Sequence, residues 1–203
     1  MVGDAWGLIS DVHGNYAALE QALRLLEQAG ANRLAFLGDY LGRGDSDRCI
    51  AKIRALADIA IVGNRDLDWQ DRVSLASREY VLGLPRTAQA DQLLLSHGDS
   101  RLTPSLSTSQ INRQFARVWP ELERHSARLW AFGHSHHARV WRRRLDGEGP
   151  VLVETECVPI DAAAYYCINV GTTGLPFPGK GGPSVALVDF ARNEIRRIPL
   201  EQG

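Results

Sequence analysis

Short apolar runs alternate with segments of helical periodicity over the first two thirds of this 203-residue chain. Strands that alternate with helices of this length pair in parallel through right-handed crossovers, so the pattern predicts an α/β fold. In the first predicted helix, Asn15 suits the N-cap and Gly30 suits the position just past the C-terminus. The predicted strands are 6–10, 33–38, 59–63, 92–96 and 129–133, and the other predicted helices are 46–57, 74–82 and 108–118.

The pattern changes in the C-terminal third of the chain, which is rich in β-forming residues. Segments 138–145 and 151–157 flank a turn-forming stretch at 146–150 and are predicted to form a hairpin. Further strands are predicted at 165–170, 184–190 and 194–198. We expect these strands to be mainly antiparallel.

Composition limits the class of protein. With 44% hydrophobic residues, the chain can bury about 70% of its unfolded surface, so we expect a single domain over residues 1–203. No apolar run approaches the ~20 residues of a membrane span, and the N-terminus lacks a signal-peptide pattern. We therefore expect a cytoplasmic protein without a membrane partner. Its oligomeric state is not encoded in any recognisable feature.

Charge and cysteine content exclude two further classes. The net charge of −1 offers no whole-protein field for a nucleic acid duplex, so recognition of an anion must be local. The three cysteines, Cys49, Cys157 and Cys167, have neither the even number of a disulfide framework nor Cys-x-x-Cys spacing. Reduced and mostly buried thiols are the expectation.

Polar residues of metal-binding type follow each of the first five predicted strands. In a parallel sheet the carboxyl ends of the strands meet at one edge, where α/β folds place their sites. Taken singly, each residue has an ordinary alternative as a helix cap, a buried histidine or a solvated turn. Together they predict a site that could hold two metal ions. The candidate ligands are Asp11, His13, Asp39, Asn64, His97, His134 and His136.

These motifs, in this order and spacing, resemble those of the calcineurin-like metallophosphoesterase superfamily. The resemblance is carried by DVH at 11–13, GD at 38–39, GNR at 63–65, SHG at 96–98 and GHSH at 133–136. The segment YYCINVGTTG at 165–174 is similar to the Asn-Pro-Gly-Ser region of small bacterial members. The resemblance implies two β-sheets packed as a sandwich and flanked by helices, with a dimetal site at the carboxyl ends of the strands.

The resemblance also implies the division of the ligands between two ions. Asp11, His13 and His136 would bind one ion, Asp39 would bridge, and the other ion would be bound by Asn64, His97 and His134. Oxygen and nitrogen ligands without thiolates suit divalent transition metals, with Mn²⁺ expected first and Fe, Ni²⁺, Co²⁺ or Zn²⁺ as alternatives. A metal-bridging hydroxide would then attack phosphorus in line.

The chain departs from the family pattern after Asn64. The usual motif is Gly-Asn-His, and its histidine protonates the leaving oxygen, but this chain has Arg65 followed by Asp66. A guanidinium stays protonated in proteins, so Arg65 can hold phosphate but cannot act as a general acid. His137 and Tyr40 are the nearest substitutes in the sequence. The alternative is that Arg65 only forms an ion pair with Asp66.

Arg43 is a second candidate for phosphate binding. It lies in GDYLGRG at 38–44, which is similar to the Gly-Asp-x-Val-Asp-Arg-Gly stretch of Ser/Thr protein phosphatases and dinucleoside tetraphosphatases. A planar guanidinium suits a phosphate, although Arg43 is equally compatible with a solvated loop. The Gly-rich loop at 171–183 contains Lys180 but lacks a P-loop pattern. The catalytic candidates are thus Asp39, Arg43, Arg65 and Asp66.

Two classes of function remain open at this point. The first is a metal-dependent enzyme that hydrolyses a small phosphomonoester or phosphodiester, with a dinucleoside polyphosphate or phosphoprotein as alternative substrates. The second is a non-catalytic metal-binding scaffold of the same fold. Ligand-type residues at all seven positions favour the enzyme, because a scaffold is free to lose them.

Overall fold

The computed structural model describes residues 4–98, 118–147 and 149–201, which form two six-stranded mixed β-sheets flanked by helices. The strands are β1 (Ala5–Ile9), β2 (Arg33–Phe36), β3 (Ile59–Ala60), β4 (Thr87–Ala90), β5 (Leu93–Ser96), β6 (Leu129–Phe132), β7 (Arg139–Arg144), β8 (Val151–Val153), β9 (Cys157–Pro159), β10 (Ala164–Asn169), β11 (Ser184–Asp189) and β12 (Glu194–Pro199). The helices are α1 (Tyr16–Gln28), α2 (Ser46–Leu56), α3 (Asn64–Asp68) and α4 (Leu75–Leu82), with a 3-10 turn at Gln70–Arg72. This is the fold class that the family resemblance implied.

The five ligand-bearing strands divide between the two sheets. The first sheet has the order β3-β2-β1-β11-β12-β9, in which β1, β2 and β3 run parallel. The second has the order β4-β5-β6-β10-β7-β8, in which β5, β6 and β10 run parallel. The single parallel sheet suggested by the strand and helix pattern alone is therefore incomplete. The parallel carboxyl ends of both sheets supply the site.

Helix α1 forms as the sequence predicted. The side chain of Asn15 accepts a hydrogen bond from the backbone amide of Ala18 and caps the first turn. Gly30, at φ +93°, follows the last turn in the left-handed conformation that favours glycine. The buried residues Leu19 and Leu26 lie on one face, which packs against the first sheet.

Three apolar layers hold the sheets and helices together. Alternate residues of a strand face opposite sides, so Leu8 of β1 lies between the sheets and Ile9 faces the helices. The central layer joins both sheets, and a second layer packs α1 and α2 on the first sheet. A third layer packs helical residues 118–124 on the second sheet through Trp119 and Trp130.

Several predicted boundaries were wrong for identifiable reasons. Strands β2 and β3 end earlier than predicted because the chain turns toward the site, with Gly38 at φ +90°. Strand β4 was missed because its sequence, TAQA, carries little apolar signal. The predicted strand 151–157 divides into β8, which pairs with β7, and β9, which pairs with β12 in the other sheet. Strand β10 is parallel to β6 rather than wholly antiparallel.

Other predictions have simpler outcomes. The predicted helix 108–118 lies outside the described residues except at its last position. All three cysteines are free, with Cys49 and Cys167 buried and Cys157 exposed. Among the described residues, no helix combines the length and apolar character that a bilayer crossing requires.

Candidate metal centre

The predicted ligands lie on tight turns with unusual backbone geometry. A left-handed φ is uncommon outside glycine and persists where the surrounding structure imposes it, often at functional sites. Five of the seven ligand positions have it: Asp11 (56°), His13 (50°), Asp39 (58°), His134 (66°) and His136 (57°). The turns after β1, β2 and β6 are thus bent so that the side chains converge, a feature that spacing in the sequence does not reveal.

The first group of ligands consists of Asp11, His13 and His136. Asp11 Oδ1 lies 3.0 Å from His136 Nε2 and 3.6 Å from His13 Nε2. The two imidazole Nε2 atoms are themselves 3.2 Å apart. Three potential ligand atoms from three side chains therefore face one small volume, as the resemblance implied for one ion.

The second group contains Asp39 and His97, with Asn64 and His134 nearby. Asp39 Oδ2 lies 3.3 Å from His97 Nε2 and 3.9 Å from His13 Nε2, so one carboxylate oxygen stands between the two groups. Asn64 Oδ1 lies 2.9 Å from His134 Nδ1, and the rings of His97 and His134 are 5.3 Å apart. Asp11 also reaches this second group. The bridging role of Asp39 stays a prediction, supported by its position.

Backbone carbonyls orient three of the histidine rings. His97 Nδ1 lies 2.7 Å from Leu37 O, His136 Nδ1 lies 2.6 Å from Leu175 O, and His13 Nδ1 lies 3.3 Å from Leu41 O. A neutral imidazole that donates its Nδ1 proton to a carbonyl keeps a lone pair on Nε2. The Nε2 atoms of these rings are therefore available as ligands, which is how second contacts normally prepare metal-binding histidines.

The residues present fit a pair of cations. Two buried atoms in the centre, Asp11 Oδ1 and His97 Nε2, have no hydrogen-bond partner among the described residues. Buried polar atoms normally have partners, so these two call for one. A cation between them satisfies both atoms. The oxygen and nitrogen ligands suit divalent transition metals.

The electrostatics of the centre also favour positive charge. Burial alone raises the pKa of the Asp11 carboxyl, but the contacts with His13 and His136 hold it well below its usual value. Burial lowers the pKa of His97, yet the neighbouring Asp39 carboxylate raises it to about 9. The buried Asp11 carboxylate, which retains its charge, makes this an electronegative cavity.

Asp66, predicted to be catalytic, lies beneath the centre rather than in it. Its carboxylate is fully buried and accepts hydrogen bonds from four backbone amides. Burial and the charge of Asp39 raise the pKa of this carboxyl to about 6. Its role is to position the turns that carry Asp39 and Asn64. The amides are those of Asp39 (2.9 Å), Tyr40 (2.7 Å), Leu41 (3.0 Å) and Gly63 (2.9 Å).

Two expectations were wrong: that Tyr40 could replace the missing general acid, and that Arg65 forms an ion pair with Asp66. Tyr40 is fully buried, its hydroxyl donates to the carbonyl of Ile61 (2.6 Å), and burial raises its pKa well above the usual value. It cannot reach a leaving group. The guanidinium of Arg65 lies near Asp68 (3.9 Å) rather than Asp66, and its side chain is about half exposed. His137 contacts Arg139 (3.2 Å), beside the ligand turn.

A cleft of about 790 Å³ opens beside the metal centre. The ligand His13 lines it, as do both predicted phosphate-binding arginines, Arg43 and Arg65. The rings of Tyr16, Trp69 and Phe177 line it as well, and sequence reasoning missed all three. The sequence signal available for them was weak, because isolated aromatic residues near loops are common.

Two glycines allow the turns to meet. A Cβ on Gly63 would lie 2.2 Å from Asp39 Oδ1 and 2.3 Å from its backbone nitrogen. A Cβ on Gly133 would lie 2.3 Å from Asp11 Oδ2 and 1.9 Å from Ser10 Oγ. Both glycines precede ligands, so the glycine in each motif is required by close approach.

Segment 165–174 supports the ligand turns from the second sheet and its following loop. Asn169 donates to the carbonyl of Gly133 (3.0 Å) and to the hydroxyl of Ser135 (2.7 Å). The Thr172 hydroxyl donates to the carbonyl of Asp11 (2.9 Å). The similarity of this segment to a family motif was the signal that pointed to it. It fixes the turns rather than providing ligands.

Comparison with known proteins places these observations in a family. The profile of the calcineurin-like phosphoesterase superfamily domain matches residues 5–193. An uncharacterized protein of Methanocaldococcus jannaschii is 26% identical over 216 residues, covering 99% of this chain and 89% of that protein.

Solved structures share the fold. A metallophosphoesterase from Sphaerobacter thermophilus superposes with a TM-score of 0.78 at 22% identity, covering 99% of this chain and 89% of that one. An archaeal phosphodiesterase superposes with a TM-score of 0.58 at 16% identity, covering 97% and 99% of the two chains. At these identities the likeness shows the fold alone.

Proposed function

The chain belongs to the calcineurin-like phosphoesterase superfamily, and from that premise we propose that it hydrolyses a small phosphomonoester or phosphodiester with two divalent metal ions, Mn²⁺ first among them. The observation that carries the proposal is the convergence of Asp11, His13 and His136 on one volume and of Asp39 and His97 on an adjoining one. The first group reaches, through His13, a cleft large enough for a small substrate.

The ligand atoms divide naturally between two positions. Asp11, His13 and His136 would hold one ion, and the other would be held by Asn64, His97 and His134 with Asp39 between them. When bound, the two ions supply Lewis acidity and an activated water for in-line attack on phosphorus. The backbone carbonyls of Leu37, Leu41 and Leu175 keep three imidazoles turned toward these positions.

Two arginines would hold the phosphoryl oxygens from the cleft side. Arg65 follows the ligand Asn64, and its backbone amide donates to Asp39 Oδ1 (2.8 Å), so its position is tied to the centre. Arg43 lines the same cleft. Guanidinium groups stabilise the charge on a phosphoryl group but donate no proton to the leaving oxygen. We therefore expect good leaving groups to be cleaved faster than poor ones.

The test combines metal content with turnover. Protein loaded with Mn²⁺ should bind two ions per chain and hydrolyse p-nitrophenyl phosphate or bis(p-nitrophenyl) phosphate. Asp39→Asn should abolish most of this turnover. Asp58→Asn should not, because the Asp58 side chain is 31% exposed and contacts Arg33 and the backbone amide of Leu34 rather than the metal centre. Two bound ions without turnover would refute the enzyme and favour the non-catalytic metal-binding scaffold. Absence of bound metal would refute both functions.

A further inference from the structure

We propose that the cleft beside the metal centre binds a planar aromatic group carried by the leaving alcohol of the substrate. This inference rests on the proposed phosphoesterase function and narrows its substrate class. It is carried by three aromatic rings, Tyr16, Trp69 and Phe177, which line the cleft together with Arg43 and Arg65.

The aromatic wall is continuous with the metal ligands. The ring of Phe177 stacks on that of His136, with centroids 4.5 Å apart and an interplanar angle of 23°. His13, the neighbouring ligand, itself lines the cleft. A group attached through one oxygen to a phosphorus atom at the metal centre would therefore enter the cleft directly.

Arginines fix the other two rings. The guanidinium carbon of Arg48 lies 3.8 Å from the ring centroid of Tyr16, and that of Arg72 lies 4.4 Å from the ring of Trp69. Cation–π contacts of this kind hold a ring in one orientation. Rings that are already fixed lose little entropy when a ligand stacks on them, which favours binding.

The cleft is unsuited to a small polar alcohol. Its volume of about 790 Å³ far exceeds what a phosphate group fills, and Leu175, which is 41% exposed, adds apolar surface to the three rings. An alcohol that carries only hydroxyl groups would leave these surfaces without a partner. A planar aromatic group would cover them and would gain stacking contacts.

The cations complete the match. Among the residues that the structure describes, Arg43 has no carboxylate within ion-pair distance, and the nearest to Arg65 lies at 3.9 Å. The Arg43 guanidinium can therefore take phosphate oxygens directly, and Arg65 can do so in exchange for its long, half-exposed contact with Asp68. Anion and aromatic ring are thus recognised side by side, a chemistry shared by nucleotides and by simple aryl phosphates.

Binding of non-hydrolysable ligands tests this inference separately from catalysis. We would titrate the Mn²⁺-loaded protein with 1-naphthylphosphonate and methylphosphonate by calorimetry. Stacking of one planar group contributes a factor of about 5 to 150 in affinity, so naphthylphosphonate should bind at least about fivefold tighter than methylphosphonate. Equal affinities, or no binding of either ligand, would overturn the inference. A preference without any phosphoester turnover would refute the proposed function alone.

Variants locate the preference in the cleft. Trp69→Ala and Phe177→Ala should each reduce the naphthyl preference severalfold, and Trp69→Phe should keep most of it. Phe177 is 42% exposed, so Phe177→Ala should leave the fold intact. It therefore tests the aromatic cleft even if Trp69→Ala disturbs folding. Leu75→Ala is the matched control, because Leu75 is 70% exposed on α4 and does not line the cleft. A preference unchanged in both Ala variants would contradict the proposal.

Competition identifies the source of the aromatic group. Adenosine 5′-monophosphate and ribose 5-phosphate would each be added against bound naphthylphosphonate. If the nucleotide competes at least tenfold better, the group is a nucleobase. If the two compete equally while the naphthyl preference persists, the group is a simple aryl ring. Either result supports an aromatic subsite.

Discussion

The carboxylate of Asp66 accepts a hydrogen bond from the backbone amide of Asp39 (2.9 Å) and thereby fixes the turn that carries the proposed bridging ligand. The same oxygen accepts from Gly63 (2.9 Å), and the other accepts from Tyr40 and Leu41. One buried side chain thus ties the turn after β2 to the start of α3. Its position in the sequence motif suggested a catalytic role, but its hydrogen bonds are those of a residue that stabilises the backbone of the turns.

Asp66→Asn should therefore weaken both folding and metal binding. An amide group directs an N–H at backbone amides that need an acceptor, so buried donors would lose their partners at a cost of about 3 kcal/mol. Urea unfolding should show this loss, and metal titration should show weaker uptake. Asp68→Asn is the control, because the Asp68 carboxylate is exposed and its ion-pair partner among the described residues is Arg65, at 3.9 Å. Unchanged unfolding in Asp66→Asn would contradict the anchoring role.

Asp39→Asn should cost more activity than any other single ligand change. Asp39 Oδ2 lies between His97 and His13, so its charge acts on both ion positions. The expected loss of kcat/KM is on the order of 10³-fold or more, with looser metal binding. Steady-state kinetics of the seven ligand variants, each beside its metal content, would check the ranking. Near wild-type turnover with two bound ions would place the bridge elsewhere, for instance at Asp11.

Gly63→Ala should be incompatible with the centre. The added methyl would lie 2.2 Å from Asp39 Oδ1, and relieving this overlap requires movement of the ligand turn, which we expect to cost ~3 kcal/mol. Gly83→Ala is a matched control, since its Cβ would meet only ordinary contacts at 3.4 Å and beyond. Thermal unfolding and metal content of both variants provide the comparison. A stable, fully metallated Gly63→Ala protein would show that the turns are looser than described.

Features of the fold that are encoded within one short segment could be predicted from the sequence, whereas features set by distant segments could not. The helix from Tyr16 to Gln28 was predictable because cap, periodicity and terminating glycine are encoded within it. The convergence of the candidate ligands was predictable because each lies within four residues of the carboxyl end of a strand. The division of 151–157 between two sheets was not, since pairing partners such as β12 lie far along the chain.

The role of a residue was harder to predict than its place in a motif. Asp66 and Tyr40 lie within two residues of candidate ligands in the sequence, but both side chains are fully buried and neither lines the cleft. The cleft itself combines Tyr16, Trp69 and Phe177 from three separate segments, and only the folded chain brings them together. Long-range juxtaposition, not local pattern, sets these roles.

Asp47 should make stability depend on pH in the acidic range. Its carboxylate joins α2 to α4 by accepting from the hydroxyls of Ser74 (2.6 Å) and Ser77 (2.5 Å), and these bonds hold its pKa below the usual 3.8. A lowered folded-state pKa contributes stability above the unfolded value that is lost as pH falls through the folded one. Asp47→Asn should therefore lower the unfolding temperature at pH 7, and the difference from wild type should shrink below pH 4. A difference that grows on acidification would contradict the assignment.

Arg65 should govern how the rate depends on the leaving group. A fixed positive charge stabilises the phosphoryl group for every substrate, so Arg65→Ala should lower kcat/KM for alkyl and nitrophenyl phosphoesters alike, by about 10- to 100-fold. Wild type should show a steep dependence on leaving-group acidity, because no proton is donated. Arg65→His restores the family's usual acid, but all four acceptor positions of Asp66 are filled by backbone amides. No carboxylate oxygen remains there to orient the ring, so the gain for alkyl esters relative to nitrophenyl esters should stay below about tenfold.

A series of phosphoesters with graded leaving groups, measured on wild type, Arg65→His and Arg65→Ala, separates these effects. Displaced parallel lines for wild type and Arg65→Ala would show a role in charge stabilisation. A flatter line for Arg65→His would show that an imidazole at this position reaches the leaving oxygen. Three coincident lines would mean that the guanidinium has no part in the chemistry and serves only its contact with Asp68. Arg78→Ala, which removes an arginine paired with Asp71 outside the cleft, is the control for loss of a surface cation.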